Sequence, residues 1–182
     1  MGRVSQAQAQ ENRQRVVRAA AELFRERGPQ VSVVDLMKES GLTHGGFYKQ
    51  FASKEALFEE AMTQAFEDAA THPYRQPAAA GGLSDEAIAA YLSVEHRDAV
   101  AKGCPVAALA TDIARGHGGS AVQDQYSDGV AQLAQLLATD DDDGLSRMCM
   151  MVGALILARA TRDTELSQAI LTAARATLST SG

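Results

Sequence analysis

Apolar residues recur along this chain at intervals of three and four, the spacing that gathers them on one side of an α-helix. No stretch alternates apolar with polar for long enough to predict a strand. The first helix, over about residues 11–27, puts Val16, Ala20, Leu23 and Phe24 on one face and Arg13, Arg15, Arg18 and Arg25 mostly on another, and Gly28-Pro29 ends it. A second begins at Ser32, an N-cap with Asp35 three residues on, and carries Val34, Leu36 and Met37 up to Ser40-Gly41. Thr43 is expected to cap a short third helix. Ser53 is expected to cap a fourth that runs to about Ala70 with Phe58, Met62, Ala65, Phe66 and Ala69 at helical spacing. His72-Pro73-Tyr74-Arg75-Gln76-Pro77 and the following Ala78-Ala79-Ala80-Gly81-Gly82 break the pattern. Beyond them, helices are predicted over 84–101, 105–115, 120–138, 144–161 and 163–179. The fold class is all-α, without internal repeats, and the break places a domain boundary near residue 70, dividing 11–70 from 71–182.

Between the second and third helices lies only Ser40-Gly41-Leu42, and two short helices joined by a tight turn containing Gly form a helix-turn-helix. The third helix is then the reading helix, with Thr43, His44 and Gly45 nearest the base edges of a DNA duplex. His44-Gly45-Gly46 is a weak helix start, because each interior glycine costs about 1 kcal/mol relative to alanine. Close approach of something bulky to the backbone explains the choice. Tyr48 and Lys49 follow at the far end with a phenol and an ammonium group suited to phosphate oxygens. Lys54, just inside the next helix, adds charge to an N-terminus that already attracts anions. Phe47 is expected to point back into a small core.

Composition changes this picture little, but charge sharpens it. At 182 residues with 46% apolar content, the chain can bury a substantial core. Residues 1–54 hold 9 basic and 5 acidic side chains, a balance of +4, whereas 55–182 hold 8 and 18, a balance of −10. Only the N-terminal third suits a polyanion. Two cysteines make no disulfide framework, the polar N-terminus has no apolar leader core, and the longest apolar run, 148–158, is far short of the roughly 20 residues that span a membrane. A cytoplasmic protein without membrane contact is expected.

Residues 12–62 resemble the TetR/AcrR family of transcriptional regulators. The resemblance is carried by Ala20-Ala21-Glu22-Leu23-Phe24, Gly28, Gly41-Leu42-Thr43, Gly45-Gly46-Phe47-Tyr48-Lys49-Gln50-Phe51 and Ser53-Lys54-Glu55-Ala56-Leu57. The chain departs from the family pattern at Pro29-Gln30-Val31-Ser32-Val33, where a Thr is commoner. The resemblance implies an N-terminal DNA-binding domain with base and phosphate contacts around Ser32, Thr43, His44, Gly45, Gly46, Tyr48, Lys49 and Lys54. It also implies a helical C-terminal domain for ligand binding and dimerisation.

For that second part the reading is physical. The 144–161 helix is apolar nearly all round, and with the last helix it offers Met148, Met151, Val152, Leu155, Leu166, Ile170, Ala173 and Thr177 either to a four-helix interface with a second copy or to the protomer's own core. Tyr91, Val94, Cys104, Val106, Leu109, Ile113, Tyr126 and Leu133 are expected to wall a pocket for a small, largely apolar effector. Cys104, before Pro105 at a helix start, reads as a pocket-lining residue or as a sensing thiol. Cys149, among methionines, reads as core. His96, Cys104, Asp112 and His117 match no zinc spacing, Gly116–Ser120 reads as a turn, and Asp140–Asp143 as a solvated acidic loop. No catalytic constellation stands out and no cofactor is implied, so an enzyme is not expected. The expectation is a dimeric repressor that binds a palindromic double-stranded operator and is released by a small ligand. The alternative is a repressor switched by oxidation or by electrophiles at Cys104.

Overall fold

The computed structural model describes residues 6–78 and 81–179. Ala79 and Ala80 of the predicted linker, and the first five residues, lie outside the described residues. The order of α-helices is α1 (Gln6–Arg27), α2 (Val33–Glu39), α3 (Lys54–Ala70), α4 (Asp85–Tyr91), α5 (Val94–Asp98), α6 (Pro105–Ala114), α7 (Gly119–Leu137), α8 (Leu145–Ala160) and α9 (Glu165–Ser179). Short 3-10 helices stand at His44–Lys49, Pro73–Arg75 and Val100–Lys102. Among the described residues only isolated antiparallel bridges occur, Pro77 with Leu83 and Thr139 with Asp142, so the fold is all-α.

The chain makes these boundaries with its own side chains. Gly28, in the left-handed region at φ +73°, ends α1 and donates its N–H to the Phe24 carbonyl at 2.9 Å. The Ser32 hydroxyl caps α2, accepting from the Asp35 N–H at 3.1 Å and donating to the Asp35 carboxylate at 2.6 Å. At the other end Gly41, φ +71°, donates to the Lys38 carbonyl while the Leu42 N–H reaches the Met37 carbonyl, the paired bonds of a Schellman ending. Ser53 caps α3 by accepting from the Ala56 N–H.

Two elements differ from expectation. The predicted third helix is a 3-10 helix, and Thr43 precedes it in extended conformation without a capping hydrogen bond from its side chain. A six-residue segment with two glycines has too little propensity to hold an α-helix, and the burial of Phe47 and Phe51 sets its path instead. The predicted 84–101 helix is three pieces. Leu92 closes α4, and Ser93 starts α5 by accepting from the His96 N–H.

Two apolar clusters hold the molecule together. The first joins α1, α2, the 3-10 helix and α3 through Val16, Phe24, Leu36, Phe47, Leu57 and Met62, and it also takes in Leu109, Ile113 and Val122. Phe24 and Phe58 meet edge to face at 4.9 Å. The second runs through Tyr74, Ile88, Tyr91, Leu133, Met151, Leu155 and Leu171. Phe66 and Tyr126 touch both. Arg25, expected on the polar face of α1, is buried instead and ties three elements together. Its guanidinium donates to the carbonyls of Ala101 and Ala65 and approaches Asp68.

Candidate nucleic-acid interface

The helix-turn-helix places its exposed side chains on one short segment. Thr43, His44, Gly45, Tyr48 and Lys49 are exposed, Gly46 and Lys54 are half-buried, and Phe47 is completely buried against Met37 and Phe51 in the same cluster. Tyr48 is 69% exposed, unusual for an aromatic residue with a buried neighbour. Its ring is held edge-on by Phe47 at 5.1 Å and by His44 at 6.4 Å. The phenol therefore stands off the surface on a fixed base. Ser32 is exposed too, but its hydroxyl is already committed to Asp35 on both sides.

The two glycines are the informative pair. Neither has a positive φ, so neither is needed for a left-handed turn. A Cβ added to Gly45 would meet nothing within 4 Å, and one on Gly46 would come no nearer than 3.7 Å to the end of the Met37 side chain. The protein's own packing thus gives no reason for glycine at either position. What they leave is a flat strip of backbone at the surface, between His44 and Tyr48.

Residues 16–61 match the family model described as "Bacterial regulatory proteins, tetR family". This segment resembles the tetR family's N-terminal domain. The matched segment takes in α1, α2, the 3-10 helix and the first part of α3, so the likeness to the family's helix-turn-helix falls on the surface just described. Solved structures share the whole fold. A TetR transcriptional regulator from Chloroflexus aurantiacus superposes with a TM-score of 0.70 at 21% identity, covering 96% of this chain and 95% of that one. A TetR-family regulator from Cytophaga hutchinsonii gives 0.69 at 18% identity, with 98% and 97% covered. The reduced form of E. coli NemR gives 0.60 at 18%, with 92% and 95% covered. At these identities the likeness is one of fold. No curated protein matches the chain in sequence.

The C-terminal half rearranges several sequence expectations. Of the residues expected to wall a pocket, Tyr91, Cys104, Val106 and Leu133 pack in the second core cluster, Leu109 and Ile113 in the first, and Val94 and Tyr126 are half-buried beside them. Helical periodicity marks core-facing positions, and these residues pack within the two cores. The Tyr126 phenol donates to the Val106 carbonyl at 2.7 Å, and burial, then the nearby Cys104, pushes its pKa up to about 12. Cavities open elsewhere. One of about 420 Å3 is bounded by His72, Pro73, Ala90, His96, Lys102 and Gly103, and one of about 390 Å3 by Thr63, Phe66, Gln125 and Gly129.

On α8 and α9 the apolar excess divides. Met148, Met151 and Leu155 are buried in the protomer's own core, the alternative to an interface with a second copy; Val152 and Ile170 are half-buried; Leu166, Ala173 and Thr177 are exposed. Leu157 and Leu166 are each 57% exposed, and Met150 and Cys149 also face outward. Cys149 is therefore not a core residue. It sits on the side of α8 opposite Met151 and Leu155, which the alternation of methionines around it had obscured.

Among the described residues no group of three or more His, Cys, Asp or Glu could hold a metal ion, and no helix is long and apolar enough to cross a membrane. His96 and His117 are engaged in separate hydrogen bonds, His96 with the Cys104 N–H and His117 with Gln30.

Proposed function

We propose that this chain is a tetR-family transcriptional regulator, a homodimeric repressor that sits on a palindromic operator and is released by a small, largely apolar ligand. The observation that carries the DNA contact is the pair Gly45-Gly46, whose missing side chains relieve nothing inside the protein. A surface strip without side chains lets a sugar-phosphate backbone or base edge come against the main chain. Thr43, His44 and Gly45 then face the bases, with Gly46 keeping the strip flat. Tyr48, Lys49 and Lys54 contact phosphates, and Ser32 contributes from the cap of α2.

A second copy is supported by the outward apolar face of α8 and α9, with Leu157, Leu166, Val152 and Ile170. Gly153 lies beside them, and a Cβ added there would meet nothing within 4 Å. Such a surface is costly in a lone protomer and suits a two-fold four-helix contact. The division near residue 70 separates the reading unit from the part that dimerises and responds. Ligand binding in the second part changes the spacing of the two reading units, so that they no longer match the half-sites. We prefer release by a ligand to switching at a thiol because Cys104 is wholly buried. Cys104→Ser separates the two readings, since a ligand sensor keeps its response and a thiol switch loses it.

The test is an anisotropy titration against DNA tiles from the intergenic region beside the protein's own gene, at low and near-physiological salt. Tight binding confined to one palindromic tile is expected. Absence of binding to any tile at low salt would refute the reading.

A further inference from the structure

Behind the cavity bounded by His72, His96 and Gly103 lies a group of buried hydrogen-bond donors, several of them without acceptors. Tyr74 and Tyr91 are essentially inaccessible, and their rings meet edge to face at 5.3 Å. The Tyr74 hydroxyl has no hydrogen-bond partner, and the Tyr91 hydroxyl has only the Cys104 thiol beside it, with no oxygen or nitrogen. Arg75, next to Tyr74, leaves its Nε and one terminal nitrogen buried and unpaired. Arg159 donates to the carbonyls of Arg97 and His96 but forms no salt bridge among the described residues. Asp98, the carboxylate it influences, is already held by Arg97 and Arg162. Burial holds the Arg159 pKa below the ordinary value, and Tyr91, Cys104 and Tyr74 oppose that shift, so these groups share one neighbourhood.

His96 does not supply the missing acceptor. The Cys104 N–H donates to its Nε2 at 3.0 Å, so the ring hydrogen is on Nδ1 and is given to the Tyr91 carbonyl at 2.7 Å. The ring is saturated and neutral. Gly103 allows this closure, for a Cβ there would lie 2.9 Å from both His96 and Arg159.

Buried donors left unmatched cost stability, and a protein retains them where a ligand completes them. We propose that Tyr74, Tyr91 and Arg159 form the head-group site for a small monocarboxylate whose apolar body occupies the adjoining cavity of about 420 Å3. Two phenol donors and a guanidinium without its own carboxylate match the two oxygens of one carboxylate. The cavity's Pro73, Ala90 and Ala99 suit a hydrocarbon body, and its rim carries Lys102 and Glu95. His72 stands between them. Its ring stacks on Tyr74 at 3.9 Å, no hydrogen bond holds its Nδ1, and the side chain is half-exposed.

This inference rests on the ligand-release reading but is tested without DNA. Benzoate, phenylacetate and hexanoate are compared with benzamide, phenylacetamide and hexanamide by thermal denaturation and calorimetric titration of the full chain. At least one acid is expected to raise Tm by several degrees where its amide does not. Tyr74→Phe and Tyr91→Phe should melt no lower than the parent without ligand, because each removes an unpaired hydroxyl, yet bind that acid at least tenfold more weakly. Equal effects of every acid and its amide, or full retention of acid binding in both Phe variants, would overturn the site. Operator binding measured separately on the same preparations would then be unaffected, so a failure here is distinct from a failure of the DNA-binding reading.

Discussion

Gln30 and His117 meet side chain to side chain, 3.0 Å apart between their Nε2 atoms, across 87 residues of sequence. His117 directs its Nδ1 at the Asp112 carbonyl at 3.0 Å, and a carbonyl only accepts, so Nδ1 carries the hydrogen and Nε2 receives one from Gln30. The bond joins the loop before α2 to the turn between α6 and α7. A cavity of about 190 Å3 beside it is lined by Lys54, Glu55 and Phe58 at the start of α3. Gly28 is held in the same region, within 3.3 Å of the Asp112 carboxylate if it carried a Cβ. The turn after α6 is thus tied to the loop that leads into α2. In a double-mutant cycle of Gln30→Ala and His117→Ala, followed by chemical denaturation, a coupling of about 0.5–1 kcal/mol is expected. Strict additivity would mean that the contact transmits nothing.

A second link between the two halves depends on a glycine. A Cβ on Gly129 of α7 would fall 2.1 Å from the Phe66 ring of α3, and the ring is itself packed near Tyr126. Gly129→Ala should destabilise the fold by about 1–3 kcal/mol through overpacking. Phe66→Leu in the same chain should recover part of the loss in thermal melts, which a helix-propensity effect at Gly129 would not allow.

Much of this architecture was legible in the sequence because its causes are local. Gly28, Ser32, Gly41 and Ser53 act within a few residues, and the ends of α1, α2 and the start of α3 fall where these residues predict. What escaped was set by distant partners. Arg25 lies among residues that read as a polar face, and only the carbonyls of Ala65 and Ala101 make its burial tolerable. The break at Leu92 had a visible signal in Ser93, overridden by the run of apolar spacing on either side. Periodicity places Leu109 and Leu133 facing inward, and both are buried. Tyr74, His96 and Arg159 come together from three separate elements, and no spacing in the chain announces them.

Acid should unfold the protein partly through His96. Its pKa is lowered to about 4, chiefly by burial, partly offset by its hydrogen bond to the Tyr91 carbonyl, with the positive Arg159 and neighbouring His72 adding to the lowering. His72 is lowered as well, by burial. An unfolded histidine takes a proton near pH 6.5 while the folded one does not, so the unfolded state binds more protons and stability falls as pH drops from about 6.5 to about 4. For His96 that loss is on the order of 3 kcal/mol, and below pH 4 the contribution levels off. Urea denaturation of the parent and of His96→Gln across this window measures it. An identical pH slope in both would count against the assignment.

Lys54 sits half-buried at the first turn of α3, beside the N–H groups that face outward from a helix start. As a phosphate contact it supplies charge and no base readout. Lys54→Ala should weaken binding about equally for specific and unrelated DNA, and flatten the dependence of log affinity on log salt by about one unit. An unchanged slope would remove Lys54 from the interface.

Gly45 offers the sharpest separation of stability from function. Because its φ is ordinary and the space around a Cβ is empty, Gly45→Ala places no strain on the fold and restricts the unfolded chain, for an expected gain of about 0.4–1 kcal/mol in stability. If the strip between His44 and Tyr48 exists to admit DNA, the same methyl group stands in the way of the duplex, and a larger one stands there more firmly. Operator affinity should therefore fall from Gly45 to Ala to Val. Thermal stability should not fall at the first step. Anisotropy on the operator tile and differential scanning calorimetry on the same preparations read the two properties side by side. A Gly45→Ala variant that is both more stable and binds DNA as tightly as the parent would show that the glycine is there for neither packing nor approach, and the DNA-facing assignment of this segment would have to be abandoned.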